Sequence, residues 1–356
     1  MVKVKEKVNF KGKTIQVGMD VHRNKWNISI FLDGQFVRRF QQPADVAALA
    51  KHLKKEYPGA EFVLAYEAGF CGFWICRSLK EQGLDCIVVN ASDVPQTNKE
   101  LRQKNDPNDS RRIGAALSGN MLKPIHIPDI ELESDRMLVR YRMRLQWDLS
   151  RCKSRIKSML HQIGILIPPR FDNSNWSNVF IQWLQALKME QDSAKATLDF
   201  MIDQVLQLRK KQLEVMRNIR LLSKKSRYEA KHELLMSVPG VGPIIAITLL
   251  TEIGDIDRFK NFYHFNSFIG FCPTEYSSGN SERHGSMTPR HHSPLRELLI
   301  EATWIAVSHD PALTIVYQKL KQKIGGKRAI VKMSRKLLNR IYTIWKKNEK
   351  YVKGVA

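Results

Sequence analysis

The sequence is poor in cysteine, in long apolar runs and in negative charge, and each shortage removes a class of protein. Its five cysteines, Cys71, Cys76, Cys86, Cys152 and Cys272, are odd in number and include no C-x-x-C pair. Neither a disulfide framework nor a zinc site is indicated, and buried reduced thiols are expected. No run of 18 apolar residues is present to span a bilayer, and the N-terminal MVKVKEKVNFKGK lacks the apolar core of a secretory signal, so a cytosolic protein is expected. Internal repeats and low-complexity tracts are absent as well. Aspartate and glutamate number 35 against 58 lysines and arginines in 356 residues, a formal net charge of +23. Such an excess draws in polyanions through counterion release and carries no sequence preference of its own. Hydrophobic residues, at 43%, still suffice for sizeable cores.

The acids that are present fall at structurally meaningful places. Asp20 closes the run TIQVGMD, Glu67 closes EFVLAYE, and KNDPND sets Asp106 and Asp109 three residues apart. Carboxylates gathered at strand ends repel one another unless a cation joins them, and oxygen-only ligands select hard ions such as Mg²⁺ or Mn²⁺. Phosphodiester chemistry uses such sets to activate an attacking oxygen and stabilise a leaving one. Each acid also has a plainer reading. Asp106 before Pro107, with an acid at the third position, is how helices start, Asp20 could be a turn residue, and Glu67 an edge charge. Capping and metal binding are compatible, because residues i and i+3 project from one side of a helical turn. The joint placement of all four favours a metal site.

The pattern along the chain sorts into three regions. Over residues 1–128, TIQVGMD, WNISIFLD and QFVRRFQ read as successive strands with Asp33-Gly34 as a hairpin turn. A helix (44–56), strand EFVLAYE, a helix (72–82), strand LDCIVVN and a helix after Pro107 complete the order of an RNase H-like α/β domain. Over 129–234 two long helical stretches, 131–167 and 176–234, are expected to pair as an antiparallel hairpin or coiled coil, with the Leu, Met and Ile stripe as a bundle or dimer seam. The basic cluster at 209–227, including Arg209, Lys210 and Lys211, could track phosphates. Over 235–356 a mostly α-helical domain opens with SVPGVGP, a helix-hairpin-helix-like turn in which Gly240 and Gly242 would present backbone N–H groups to a phosphate. A polar loop at 272–293 follows, in which Ser278, Arg283 and the nearby Arg296 combine a hydroxyl with cations. A serine there would need a base or metal to activate it.

Taken together, VGMDVHRNKWNISIF, YEAGFCGFW, KNDPNDSRRIG, SVPGVGPIIAITLLTEIGDIDRFKN and FIGFCPTEYSSGNSERHGSMT resemble transposases of the insertion-sequence 110 family, in the family's order and over nearly the whole chain. The resemblance implies a RuvC-like domain whose DEDD tetrad falls on Asp20, Glu67, Asp106 and Asp109, a coiled-coil region, and a C-terminal transposase domain whose nucleophile falls on Ser278. It further implies a covalent phosphoserine link to DNA, a structured guide (bridge) RNA that pairs donor with target, and a homo-oligomer. The expectation is thus an RNA-guided, Mg²⁺-dependent DNA recombinase. The alternatives are a junction-resolving nuclease with water as nucleophile, or a non-catalytic nucleic-acid-binding protein.

Overall fold

The computed structural model describes residues 9–96, 106–173, 175–278 and 281–354, and only the backbone at 106–108, 275–278, 281–284 and 286. The chain forms two compact units, Met1–Ile127 and Pro128–Ala356. In the first, Thr14–Val21 (β1), Lys25–Leu32 (β2) and Gln35–Pro43 (β3) make an antiparallel meander. Asp33 and Gly34 both take positive φ, 48° and 82°, as a tight two-residue hairpin turn requires. Helix α1 (Val46–Glu56) starts where the Asp45 side chain accepts from the Ala48 amide. Strand β4 (Glu61–Glu67), helix α2 (Trp74–Glu81), strand β5 (Asp85–Val89) and helix α3 (Asp106–Ser118) follow. The sheet order is β3-β2-β1-β4-β5, with β1, β4 and β5 mutually parallel.

Strand alternation gives the sheet two unlike faces. Ile15, Val17 and Met19 of β1 and Leu64 and Tyr66 of β4 are fully buried beneath α1 and α2, each such side chain contributing about 1.5–3 kcal/mol of burial. The intervening residues, Gly18 and Ala65, are small, and α3 lies on that face. A Cβ at Gly18 would stand 2.1 Å from the Ser110 carbonyl oxygen and 2.2 Å from the Gly114 amide, so only glycine admits the helix at this distance. A buried hydroxyl pair, Ser29 and Ser110 at 2.9 Å, pins α3 to β2. The C-terminal half of the helix packs Ile113, Ala116 and Leu117 on Ala65 and Val89.

The second unit is helical apart from one hairpin. Helix α4 (Ile130–Gln162) runs 33 residues and packs along α6 (Asp192–Ser223). Between them, α5 (Asn178–Ala186) closes a separate small core in which Phe180, Trp176 and Phe171 meet Ile156, Leu160 and Ile202. The stretch 176–234 is therefore three helices, α5, α6 and α7 (Glu229–Met236), rather than one. Its breaks hold neither glycine nor proline. The first occurs where Leu187 turns extended (φ −60°, ψ 123°) and packs with Met189 on the small core. The second is fixed by ion pairs from Lys225 and Arg227 to Asp129, Glu131 and Asp135 and by the Tyr228 hydroxyl on Asp135. Helices α8 (Pro243–Ile253) and α9 (Phe262–Ile269) lead to strands β6 (Pro273–Ser278) and β7 (Ser281–Met287). Helices α10 (Ser293–His309), α11 (Pro311–Ile324) and α12 (Gly326–Lys347) complete the larger core. No described helix is long and apolar enough to cross a membrane, and all five cysteines are free thiols.

Candidate active site

The last pair of the parallel β1/β4 register is Met19 with Tyr66. Asp20 and Glu67 each follow by one residue, so they are neighbours on strands roughly 4.8 Å apart, on the face that carries α3. Asp20 is fixed by its surroundings. Its Oδ2 accepts from the Asn27 amide at 3.0 Å and lies 3.0 Å from His22 Nε2. Asn27 sits opposite Asp20 in the β1/β2 register, and its own carbonyl accepts from Gln41 at 3.1 Å, which turns its NH₂ toward the carboxylate.

Helix α3 supplies the other acids. Asp106 opens it, with a side chain outside the described atoms, and Asp109 follows one turn later. Arg112, a further turn along, bridges the strand-end Glu67 and the helical Asp109: its Nη2 donates to Glu67 Oε1 at 3.0 Å and its Nη1 lies 3.1 Å from Asp109 Oδ1. The Arg112 side chain is 14% exposed, against 29% for Glu67 and 35% for Asp109, so it is the sheltered member of the trio. Its Nε is buried and meets no hydrogen-bond partner among the described residues. Glu67, Asp109 and, one strand over, Asp20 are thus gathered at one edge of the sheet. Arg112 and Asn27, which hold them, were not singled out from sequence, although the i,i+3 spacing of Asp109 and Arg112 is a pairing signal.

Among the described residues no three His, Cys, Asp or Glu side chains stand close enough together to hold a metal ion. The chemistry of the donors still fits a hard divalent cation, because they are carboxylate oxygens on one side of the sheet. Arg112 already places one positive charge between two of them.

The segment 272–293, expected as a loop, contains the antiparallel hairpin β6–β7. Ser278 is the last residue of β6 and pairs with Ser281, Ser277 pairs with Glu282, and Tyr276 pairs with Arg283. These side chains lie outside the described atoms, as does Gly279 altogether. The base of the hairpin is braced. Thr288 N–H donates to the Cys272 carbonyl, and Arg296 Nη1 lies 3.4 and 3.5 Å from the Gly270 and Thr288 carbonyl oxygens. Just beyond, His292 caps α10 by accepting from the Leu295 amide and reaches Glu252 at 3.1 Å. Glu252, 1% exposed, also takes a bidentate pair from Arg140 at 2.6 and 2.7 Å. Burial opposes its charge, but the Arg140 and His292 hydrogen bonds prevail and hold its pKa at about 2.

The remaining sequence candidates sit elsewhere. Gly240, with φ 84°, turns the chain between α7 and α8, and a Cβ there would stand 2.0 Å from the Ala302 carbonyl oxygen, so close packing on α10 itself requires glycine. Gly242 caps α8 with open space around it. On α6, Arg209 donates to the Trp176 carbonyl, while Lys210 and Lys211 are exposed.

Two family models match. Residues 17–165 match the DEDD transposase domain of IS110 elements, described as "Transposase", and residues 232–318 match "Transposase IS116/IS110/IS902 family". The chain belongs to the IS110 family of transposases. It is 24% identical to the transposase for insertion sequence element IS1533 of Leptospira borgpetersenii, over 82% of this chain and 85% of that protein. With the transposase for insertion sequence element IS1111A of Coxiella burnetii it shares 23% identity over 81% and 79%. It is also 26% identical to the y4rJ protein of Sinorhizobium fredii over 93% and 91%. The first matched segment of this IS110-family transposase spans Asp20, Glu67, Asp106 and Asp109, and the second spans Gly240, Gly242, Ser278, Arg283 and Arg296.

Proposed function

We propose that this transposase cleaves and rejoins DNA strands by phosphoryl transfer at an RNase H-like (RuvC-like) carboxylate centre together with a serine nucleophile. The observation that carries the reading is the placement of Asp20 and Glu67 side by side on adjacent parallel strand ends, with Asp109 drawn toward Glu67 through Arg112. Asp20, Glu67, Asp106 and Asp109 would hold the divalent cation, Mg²⁺ or Mn²⁺. When bound, it would supply charge stabilisation for the phosphate oxygens and lower the pKa of an attacking oxygen. The cation would compete for the carboxylates with Arg112, which already holds one oxygen of Glu67 and one of Asp109. The Arg112 guanidinium, once freed, is a donor suited to a phosphate oxygen.

Ser278 is proposed as the nucleophile. Its Oγ forms a bond to phosphorus as the bond to the leaving deoxyribose oxygen breaks. The serine gives up its proton as it attacks, and the leaving oxygen takes one up. Alternation along β6–β7 puts positions 276, 278, 281 and 283 on one face of the hairpin, with Arg283 in the next pair along that face from Ser278, which supports Arg283 as a phosphate-steadying group. The guide RNA, the homo-oligomer, the coiled-coil role of 129–234 and phosphate contacts by Gly240, Gly242, Arg209, Lys210, Lys211 and Arg296 are proposed on the family resemblance and the strong positive charge.

The test is a trapped strand-exchange reaction. It should contain protein joined to a DNA end through phosphoserine, and Ser278→Ala should lose both adduct and recombination. Normal cutting by Ser278→Ala with no adduct would establish the water-dependent nuclease instead. Loss of the adduct in Ser277→Ala alone would move the nucleophile by one residue.

A further inference from the structure

The second family match ends at residue 318, and the charge distribution of the chain changes where it stops. Residues 311–348 contain eleven lysines and arginines and no aspartate or glutamate. The other long helices mix signs: α4 carries Glu131, Glu133, Asp135 and Asp148, and α6 carries Asp192, Asp199, Asp203 and Glu214. On α12 the apolar side, with Ile330, Met333, Leu337, Leu338 and Ile341 buried, is fixed in the core, so the opposite side is rigidly presented. At 100° per residue Arg328, Lys332, Arg335 and Lys336 fall within an arc of about 100° on that outer side. All four are exposed, and none forms an ion pair with a described carboxylate. Arg340 and Lys346, nearer the C-terminal end, are tied internally to Asp310 and Asp257.

Local physics disfavours this arrangement. Lys327 and Arg328 occupy the first turn of α12, the positive end of the helix dipole, where acids are preferred. Arg328 and Lys332, and then Lys332 and Lys336, are like charges at i,i+4, a destabilising spacing. Helix α11 ends at the Gly325 corner with Lys321 and Lys323 in its own last turn, which adds cations of the same sign to the same corner. A surface that is unfavourable in the isolated protein becomes favourable against an external polyanion.

We propose that the outer side of α12, continued by the end of α11, is a backbone-tracking surface for duplex DNA, lying outside the segments that define the family. The proposal rests on the chain acting on DNA. Four cations spread over roughly 12 Å of rigid helix can each meet a phosphate without reading sequence.

The test titrates full-length protein into a random-sequence DNA duplex at salt concentrations from about 50 to 300 mM, for the wild type and for Arg328→Ala/Lys332→Ala/Arg335→Ala/Lys336→Ala. At about 0.9 unit per phosphate contact, the log–log salt slope should become shallower by about 3 to 4 units, and binding should weaken roughly a hundredfold at physiological salt. The Arg328→Lys/Arg335→Lys variant keeps the charge and should keep the slope. The thermal midpoint of the alanine variant should equal or exceed that of the wild type, because repulsion is relieved and alanine favours helix. An unchanged slope in the alanine variant would overturn the proposal. So would a loss confined to structured RNA of equal length. Failure of the wild type to bind duplex DNA would instead defeat the DNA reading on which the proposal rests.

Discussion

Two acidic centres in this molecule are each met by arginine, and they differ in how completely. Glu252, on α8, is sealed: 1% exposed, doubly bonded by Arg140, joined by His292, with Arg136 Nε 3.6 Å away. Glu67 and Asp109 share one guanidinium, stand about a third exposed, and have Asp20 beside them on the next strand. A buried carboxylate with its lone pairs satisfied holds structure together, here tying α4 and α8 to the base of the β6–β7 hairpin. Accessible carboxylates sharing too few cations remain able to take another. The contrast separates a scaffold acid from one that the proposed function assigns to chemistry, although both are glutamates facing arginine.

The largest expected effect lies at the sealed centre. Glu252→Gln leaves Arg136 and Arg140 without their counter-ion and should destabilise the fold by roughly 3–5 kcal/mol, read by denaturant unfolding. It should also reshape the acid limb of the stability curve. Because the folded-state pKa of about 2 lies below the ordinary 4.5, the wild type holds this stabilisation in full above about pH 4.5 and loses it as the pH falls toward 2. The variant should lack that part of the slope. An unchanged acid limb would erase the distinction between the two centres.

A smaller effect is expected at the open centre. Arg112→Gln removes the shared charge, so Glu67 and Asp109 should bind Mn²⁺ about three- to tenfold more tightly than in the wild type, worth roughly 1 kcal/mol for a partly exposed pair. Calorimetric titration measures this without reference to activity. Equal or weaker binding in the variant would mean that Arg112 supports the cation site rather than competing for it.

What could be read from the sequence, and what could not, follows the range of the interactions involved. Strand alternation and the Asp33-Gly34 turn are local signals, and they were enough to put Asp20 and Glu67 at strand ends. The pairing of Asn27 with Asp20 depends on register across β1 and β2, and the reach of Arg112 to Glu67 depends on α3 lying over Gly18. Neither is local. The β6–β7 hairpin is hidden in the sequence because Ser, Asn, Glu, Arg and His have the composition of a loop, although TEYSS and SERHG flank a two-residue Gly-Asn connection. The break at 187–191 carries no glycine or proline and arises from packing of Leu187 and Met189, which periodicity alone does not reveal. Arg296 looked like a phosphate cation by proximity in sequence, whereas its position also braces the carbonyls of Gly270 and Thr288.

The most direct measurement compares Mn²⁺ binding, by paramagnetic resonance of the free ion, in the wild type, Asp20→Asn and Glu252→Gln, at a temperature where all three are folded. If the open carboxylates are the cation site, Asp20→Asn loses most of the high-affinity binding while Glu252→Gln retains it. Wild-type affinity in Asp20→Asn, or loss of binding in Glu252→Gln with the fold intact, would contradict the assignment of chemistry to the strand-end carboxylates.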